Sequence, residues 1–332
     1  VMQIFDRFED QPDWLWKNRE TLAFIQWLKD YNSRLPEDDV RVSLYGIDLY
    51  SFHYSRKWII HYLQQFSALA AQQAIQRYDC VNAIGNDLHH YGEAVSKNLS
   101  SSCEHEFTEQ FNDFKLCRFP CPELYPFIDR DNYFTATQHA RILKNIEKNI
   151  RITYTTHSSA QSWNVRDEHM METLLALLDY QHQSKAIVWA HNSHLGDASA
   201  TGMAEKNQLN LGQLLRQYFK QQLLSIGMLT YSGKVIAAEL HEKRAKIMNL
   251  SAAHPDTNEA IFHTLQIPRF LLFLEPSSKL YEWLNKKRPQ RHVGVIYNSR
   301  NEIKSHYSYT HLGDQFNAVL YIDSTHALTL LK

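Results

Sequence analysis

The chain has 332 residues, which is enough for about two average domains or for one large α/β unit with a sizeable core. Its 35 basic and 36 acidic residues nearly cancel, so no overall field favours nucleic acid or an anionic membrane, and a small or neutral partner is expected. No apolar run approaches the roughly 18 residues of a membrane span, and charged residues near the start exclude the apolar core of a signal peptide. We therefore predict a cytoplasmic protein.

The first half of the chain is predicted to be mostly helical. Apolar residues recur at helical spacing up to Tyr31, and the alternating segment 40–48 predicts a strand that ends at the polar Asp48. Strand signals almost vanish over about 52–160, which indicates helices. Because no repeat or Gly/Ser-rich linker divides the chain, we predict one domain over 1–332 in which these helices form an insertion packed on a sheet.

The second half alternates helical and strand patterns. Asn164 and Asn210 are each followed by an apolar helical face, and both are expected to cap a helix. Apolar runs predict strands at 186–190, 224–231, 234–238, 270–273, 293–297 and 318–323. We interpret Ser232-Gly233 as a turn between two of these strands. The alternation predicts an α/β fold with a mostly parallel central sheet flanked by helices.

Two histidines, His191 and His194, follow the strand predicted at 186–190. Open α/β sheets bind ligands at the carboxyl ends of their strands, and imidazole exchanges protons near neutral pH, so the pair is a candidate for acid–base chemistry. The chain has 18 histidines, however, and most are expected to be solvated or structural. A metal bound by His191, His194 and Asp197 is an alternative with few ligands, and we predict no metal and no cofactor.

Other sequence patterns of catalysis are absent or incomplete. The chain has no G-x-S-x-G, H-E-x-x-H or G-x-G-x-x-G motif, and the stretch 227–234 departs from a phosphate loop in its spacing. Cys103, His105, Cys117 and Cys121 form an alternative zinc ligand set, but the first pair is too closely spaced, and we interpret these cysteines as structural thiols. Four cysteines in a chain of this length do not suggest a disulfide framework, which fits a reducing compartment.

The chain resembles the erythromycin esterase family over nearly its whole length. The resemblance runs through ordered segments at 14–18, 45–51, 77–80, 102–104, 162–170, 190–197, 210–214 and 305–307. It implies an esterase or lactonase, similar to macrolide-resistance enzymes, in which a histidine assists the attack of water on the carbonyl of a small ester or macrolactone. The implied catalytic residues are His191 and His194. The implied supporting or substrate-binding residues are Asp48, Arg166, Asp167 and Asn192, although Arg166 and Asp167 also fit a salt bridge and cap near a helix start.

One part of the family pattern has no counterpart in this sequence. Members of the family begin with a G-E-x-x-H-G type motif, whose histidine is regarded as the general base, followed by an arginine and a glutamate. This chain begins at Val1, after that segment. The resemblance therefore implies a truncated member whose hydrolysis is impaired, and an inactive remnant or ligand-binding module is the alternative. Missing central strands would expose apolar sheet surface and permit self-association.

Overall fold

The chain folds into two units in the computed structural model, which describes residues 12–82, 87–182, 185–239 and 244–331. The sheet unit comprises the described residues of Val1–Gly46 and Trp189–Lys332, and the helical unit comprises those of Ile47–Val188. The predicted helical region at 52–160 lies in the helical unit. The predicted single domain over 1–332 stays a prediction.

The helices of the described residues differ greatly in length, and the long ones lie in the helical unit. In chain order the α-helices are α1 (Arg19–Ser33), α2 (Phe52–Gln64), α3 (Ala68–Asn82), α4 (Leu88–Ser96), α5 (Glu104–Lys115), α6 (Arg130–Thr156), α7 (Ser159–Tyr180), α8 (Asn192–Leu195), α9 (Leu211–Phe219), α10 (Asn258–His263), α11 (Lys279–Leu284), α12 (Glu302–His306) and α13 (Leu312–Gln315). None of these described helices is both long and apolar enough to cross a membrane.

The helical unit is held together by apolar faces that meet in one core. Ile59 of α2, Phe107 of α5, and Ala140 and Leu143 of α6 are all essentially inaccessible to water. Burying a large apolar side chain stabilises the fold by about 1.5–3 kcal/mol. Single helices have little stability of their own, so this core supplies most of the stability of the helical unit.

Side-chain caps fix the starts of the two helices for which the sequence predicted an asparagine cap. Asn210 accepts a hydrogen bond from the backbone N–H of Gln213, so its predicted capping role at α9 is confirmed. The predicted cap at Asn164 is wrong. Helix α7 begins at Ser159, and its cap is Ser158, six positions before Asn164. The Ser158 side chain accepts from the backbone N–H of Gln161. Serine is as good a cap as asparagine, and apolar spacing alone does not locate the first turn.

The sheet unit contains one four-stranded sheet and a smaller two-stranded one. The strands are β1 (Ile226–Ala237), β2 (Lys246–Leu250), β3 (Arg269–Phe273), β4 (Arg288–Arg291), β5 (Tyr307–Thr310) and β6 (Ala318–Thr325). The larger sheet has the order β2-β1-β6-β3, and β4 pairs with β5. The strands predicted at 270–273 and 318–323 are confirmed by β3 and β6.

The prediction of a mostly parallel sheet is wrong. Only the β1–β6 pair of the described sheets is parallel, whereas β1–β2, β3–β6 and β4–β5 are antiparallel. The predicted strand at 293–297 is also wrong, since this stretch makes only an isolated bridge between Ala238 and Ile296. An apolar run sets the tendency to extend, but the orientation of a strand depends on which distant segment it meets.

Gly233 lies inside β1 and not in the predicted turn between two strands. Residues before it pair with β6, and residues after it pair with β2, with Gly233 opposite both Thr325 and Leu250. Its φ is +130°, and a Cβ there would lie 2.3 Å from the Thr325 carbonyl oxygen. Only glycine fits this conformation and this close approach of two backbones.

Two further segments predicted as strands are extended but unpaired. Residues 40–46 and 185–190 form no ladder with any described strand. Val40 is 89% exposed and Ile187 is 98% exposed. The Asn32 side chain holds the first segment by exchanging two hydrogen bonds with the backbone of Val42. The strand predictions at 40–48 and 186–190 are therefore wrong for this structure, because an extended backbone needs a neighbour to become a strand.

The cysteines are not all thiols, contrary to the prediction. Cys80 and Cys103 form a disulfide, whereas Cys117 and Cys121 are free. Cys103 is therefore unavailable as a ligand in the zinc set considered from the sequence. Disulfides persist in oxidising compartments. The cytoplasmic location stays a prediction, and this bond argues against the reducing compartment from which it was partly drawn.

Candidate functional site

The strongest candidate site of the sheet unit is built around His191, which precedes the short helix α8. Its Nδ1 accepts a hydrogen bond from the backbone N–H of Ser193 at 3.2 Å and lies 2.8 Å from the hydroxyl of the same residue. Its Nε2 lies 3.1 Å from the carbonyl oxygen of Val293. A carbonyl only accepts, so Nε2 carries the proton, and the Ser193 hydroxyl donates to Nδ1.

The surroundings of His191 keep its imidazole neutral. The ring retains contact with solvent, but protein atoms crowd around it, and this desolvation together with His194 lowers its pKa. The hydrogen bond to Val293 opposes the shift without reversing it. A neutral imidazole of fixed tautomer is the form that can take up a proton, so His191 is ready to act as a base near neutral pH.

His292 is a neighbour of His191 that the sequence analysis missed. The two ring centroids lie 6.4 Å apart at an angle of 62°. Nδ1 of His292 is buried without a hydrogen-bond partner, and burial, with His191 and His306 nearby, lowers the pKa of His292 to about 4. No sequence spacing singled out His292 among the 18 histidines of the chain. It also stands next to the stretch 293–297, which was predicted to be a strand.

His306 fixes the backbone of His292. Its Nδ1 donates to the His292 carbonyl oxygen, and its Nε2 accepts from the backbone N–H of Asn298. The backbone N–H of His292 donates in turn to the His306 carbonyl oxygen at 2.8 Å. His306 lies in segment 305–307, which was recognised only as part of the family resemblance.

The side-chain amide of Asn192 forms hydrogen bonds with the edge of β1. Its Nδ2 donates to the Met228 carbonyl oxygen at 2.7 Å, and its Oδ1 accepts from the Met228 backbone N–H at 3.0 Å. The amide thus imitates one rung of a strand ladder. This contact fixes α8 to the sheet, and it leaves the predicted substrate-binding role of Asn192 as a prediction.

The helix α8, which carries His194, and the loop after it are held by Asn210 and Asp197. Nδ2 of Asn210 donates to the carbonyl oxygens of Ser193 and Gly196. Asp197 accepts from the backbone and hydroxyl of Ser199 through one oxygen and pairs with Arg216 through the other, at 3.2 Å. Both Asp197 oxygens therefore have partners within the protein, which makes the metal set with His191 and His194 less favourable.

The helical unit brings together two of the other predicted residues, Asp48 and Arg166. The Arg166 guanidinium donates from Nε to one Asp48 oxygen at 2.7 Å and from Nη2 to the other at 2.6 Å. Its charge also lies 5.6 Å from the ring centre of Tyr50. Burial opposes the charge, but Asp48 outweighs it and raises the pKa of Arg166. The partner is distant in sequence, so this is not the local salt bridge at a helix start.

Asp167 follows Arg166 in α7 but is completely buried. The His191 group and the Asp48–Arg166 pair belong to different units of the fold. Each group is coherent in its own unit, and the catalytic and supporting roles predicted for their members stay predictions.

A second histidine with a carboxylate partner borders a surface depression of about 340 Å³ in the sheet unit. The depression is lined by His263, Thr264, Gln266, Pro268 and Asp323. Nδ1 of His263 lies 2.7 Å from an Asp323 oxygen, and its ring stacks on Tyr231 at 3.7 Å. No motif in the sequence indicated this pair, because its members are far apart in the chain.

Comparisons with known proteins extend the resemblance seen in the sequence. The family model for erythromycin esterase matches residues 1–325. A Bacillus cereus protein of solved structure is 17% identical, with a TM-score of 0.73, over 96% of this chain and 74% of its own. A succinoglycan biosynthesis protein is 16% identical, with a TM-score of 0.74, over 99% of this chain and 77% of its own.

A third similar structure is a histidine-to-asparagine mutant of the erythromycin esterase EreC in its open conformation. It is 15% identical, with a TM-score of 0.66, over 97% of this chain and 79% of its own. Identities this low establish a shared fold and leave the reaction open. The family model covers almost every residue. The chain belongs to the erythromycin esterase family.

Proposed function

We propose that this chain hydrolyses the ester or lactone bond of a small molecule, with His191 as the proton acceptor. The observation that carries the proposal is the ordered contact of Val293, His191 and Ser193, in which a neutral imidazole faces a hydroxyl through Nδ1 and a carbonyl through Nε2. The hydrolase character of the family supports it.

In the proposed reaction, a water hydrogen-bonded to the Ser193 hydroxyl attacks the carbonyl carbon of the substrate. The water passes one proton to Ser193 Oγ, and the original Ser193 proton moves to Nδ1 of His191. The Val293 carbonyl stabilises the resulting imidazolium through Nε2–H. When the tetrahedral intermediate collapses, the proton returns along the same path to the leaving alkoxide. His194 donates a hydrogen bond to the oxyanion.

Asn192 acts in this proposal as a positioning residue. Its contacts with Met228 hold α8 on β1, and α8 carries Ser193 and His194. A shift of one ångström in this helix would move Ser193 and His194 relative to the substrate carbonyl, which is how a residue remote from the reacting bond affects the rate. The Asp48–Arg166 pair has a structural role in this proposal and stabilises the helical unit.

The second candidate function is a module that binds an ester-like ligand without turning it over. One observation favours it: both ring nitrogens of His191 already have partners within the protein. A water reaches this imidazole only through Ser193, and a relay through a weakly acidic hydroxyl is slower than direct abstraction. We therefore expect modest turnover.

The test is hydrolysis of a panel of aryl esters, alkyl esters and macrolactones by the full chain and its variants. We expect His191→Ala to lower kcat by about 10²-fold to 10⁴-fold and Ser193→Ala to lower it less. His326→Ala is the matched control, because His326 is an exposed histidine in the same unit. Circular dichroism shows whether each variant is folded.

The outcomes separate the two candidates. Turnover that is equal in the wild type and in folded His191→Ala would overturn the catalytic assignment. Saturable binding of a panel member, without hydrolysis and with weaker binding in His191→Ala, would establish the binding module instead.

A further inference from the structure

Two free cysteines and a glutamate converge in the loop that joins α5 to α6. One ligand atom from each of Cys117, Cys121 and Glu123 lies within 4.8 Å of the others. The Sγ of Cys117 already lies 3.3 Å from one Glu123 oxygen. No other group of three such residues converges in this way among the described residues.

These distances are close to what a tetrahedral ion requires. Zinc binds thiolate sulfur at about 2.3 Å, so two sulfurs of a tetrahedral site lie about 3.8 Å apart. The observed ligand atoms all lie within 4.8 Å of one another, which is close to that spacing. Two thiolates and a carboxylate also form a donor set suited to zinc, with the fourth position left for water.

The backbone holds the three residues in place without an ion. Cys117, two positions after the end of α5, has a left-handed φ of +49°, an uncommon conformation for a residue with a Cβ. Pro120 and Pro122 flank Cys121 and restrict the dihedral angles of the loop. The Cys121 carbonyl accepts from the backbone N–H groups of Leu124 and Tyr125, forming a turn that directs Glu123 back.

The surroundings also favour a bound cation. Cys121 is completely buried, and Cys117 is half-buried, so two thiolates here would be costly without a compensating charge. The Tyr133 hydroxyl donates its proton to the Phe114 carbonyl oxygen and lies 3.8 Å from Cys117 Sγ.

We propose that Cys117, Cys121 and Glu123 bind one zinc ion that fastens the end of α5 to the loop before α6. Two thiol protons are released on binding, because thiolate is the ligand. The site differs from the zinc set considered in the sequence, since Cys103 is in a disulfide and Glu123 takes part. It also modifies the expectation that the chain holds no metal, which was argued from the histidine pair.

The experiment is a titration of the full chain, purified under nitrogen without chelator, with Co²⁺ and then Zn²⁺. We expect one equivalent of Co²⁺ to give thiolate-to-metal charge-transfer absorption, which Zn²⁺ abolishes by replacement. Cys117→Ser and Cys121→Ser should each weaken binding by more than about 100-fold, and Glu123→Gln by about tenfold. Glu93→Gln, at an exposed position on α4, is the matched control and should bind as the wild type does.

Mapping of free thiols on the wild-type chain keeps the test valid if a cysteine variant does not fold. Zinc should protect Cys117 and Cys121 from alkylation. The proposal is overturned if Co²⁺ gives no charge-transfer band, if the band persists in both serine variants, or if zinc leaves the alkylation of both thiols unchanged. A Cys117–Cys121 disulfide that forms in the presence of excess zinc would also overturn it.

Discussion

The guanidinium of Arg166 and the carboxylate of Asp48 form two parallel hydrogen bonds, at 2.7 Å and 2.6 Å, across 118 positions of sequence. Two bonds fix both the distance and the plane of the two groups, which a single bond would not do. Asp48 also accepts from the backbone N–H of Leu49. The pair thus joins the segment before α2 to α7.

We predict that Arg166→Lys destabilises the protein by about 1–2 kcal/mol, because lysine retains the charge but loses the paired geometry. Solvent screening limits this loss of stability, since both side chains are about a third exposed. Urea unfolding followed by circular dichroism measures it. In the pair Arg56–Asp79, where the Asp79 side chain is 49% exposed, Asp79→Asn should cost less than about 1 kcal/mol. A larger cost for that control would contradict the argument from geometry.

Glu259 should make the protein less stable as the pH rises. Burial raises its pKa to about 7, against the opposing effect of Arg291, and one of its oxygens is buried without a hydrogen-bond partner. The folded state therefore holds a proton that the unfolded state releases above its ordinary pKa of 4.5. Stability is lost between about pH 4.5 and pH 7, by about 3 kcal/mol in total.

Glu259→Gln tests this prediction. Glutamine can still accept the hydrogen bond that Glu259 receives from the Arg291 backbone, but it does not ionise. Relative to the wild type, the variant should gain about 3 kcal/mol between pH 4.5 and pH 8, measured by urea unfolding at each pH. Parallel stability curves for the two proteins would show that Glu259 does not titrate in this range.

The disulfide between Cys80 and Cys103 should contribute substantially to stability. It closes a loop with a sequence separation of 23, which in the chain-entropy model corresponds to about 3 kcal/mol. Reduction with dithiothreitol should lower the free energy of unfolding by this amount. The double variant Cys80→Ser and Cys103→Ser is the control, and reductant should not change its stability. An equal effect of reductant on both proteins would assign the change to another cause.

The exposed apolar residues of segment 40–46 should promote self-association. Val42 and Leu44 are 50% and 59% exposed in an extended, unpaired backbone, which is a template for intermolecular strand pairing. We expect a concentration-dependent increase in sedimentation coefficient, reduced by the double variant Val42→Lys and Leu44→Lys. Leu69→Lys, at an exposed apolar position on α3, is the matched control and should not alter association. A monomer at all concentrations would refute the prediction.

Local sequence patterns predicted part of the local structure. The apolar runs at β3 and β6 and the cap at Asn210 were found because each depends on residues close together in the chain. The orientation of the strands was not predicted, since an apolar run carries no sign of direction and β3 pairs antiparallel with the distant β6. Segments 40–48 and 186–190 show the same limit, because their extended tendency was clear and their lack of a partner was not.

The residues of the candidate site also differ in whether they could be predicted from local sequence. His191 and His194 stood out because they are neighbours in sequence and lie in a family motif. His292 could not be found in this way, since only folding brings it to 6.4 Å from His191. The Glu259 carboxyl was equally hidden, because burial and not residue type makes it unusual.

The change of partner at Gly233 has a consequence for the order in which the chain assembles. The half of β1 after Gly233 pairs with β2, which is close to it in sequence. The half before Gly233 pairs with β6, which lies near the end of the chain. Contacts between nearby segments close quickly, and those across long loops close slowly. Gly233 thus marks the boundary between an early hairpin and a late parallel pairing within one strand, and refolding should proceed from its C-terminal half towards its N-terminal half.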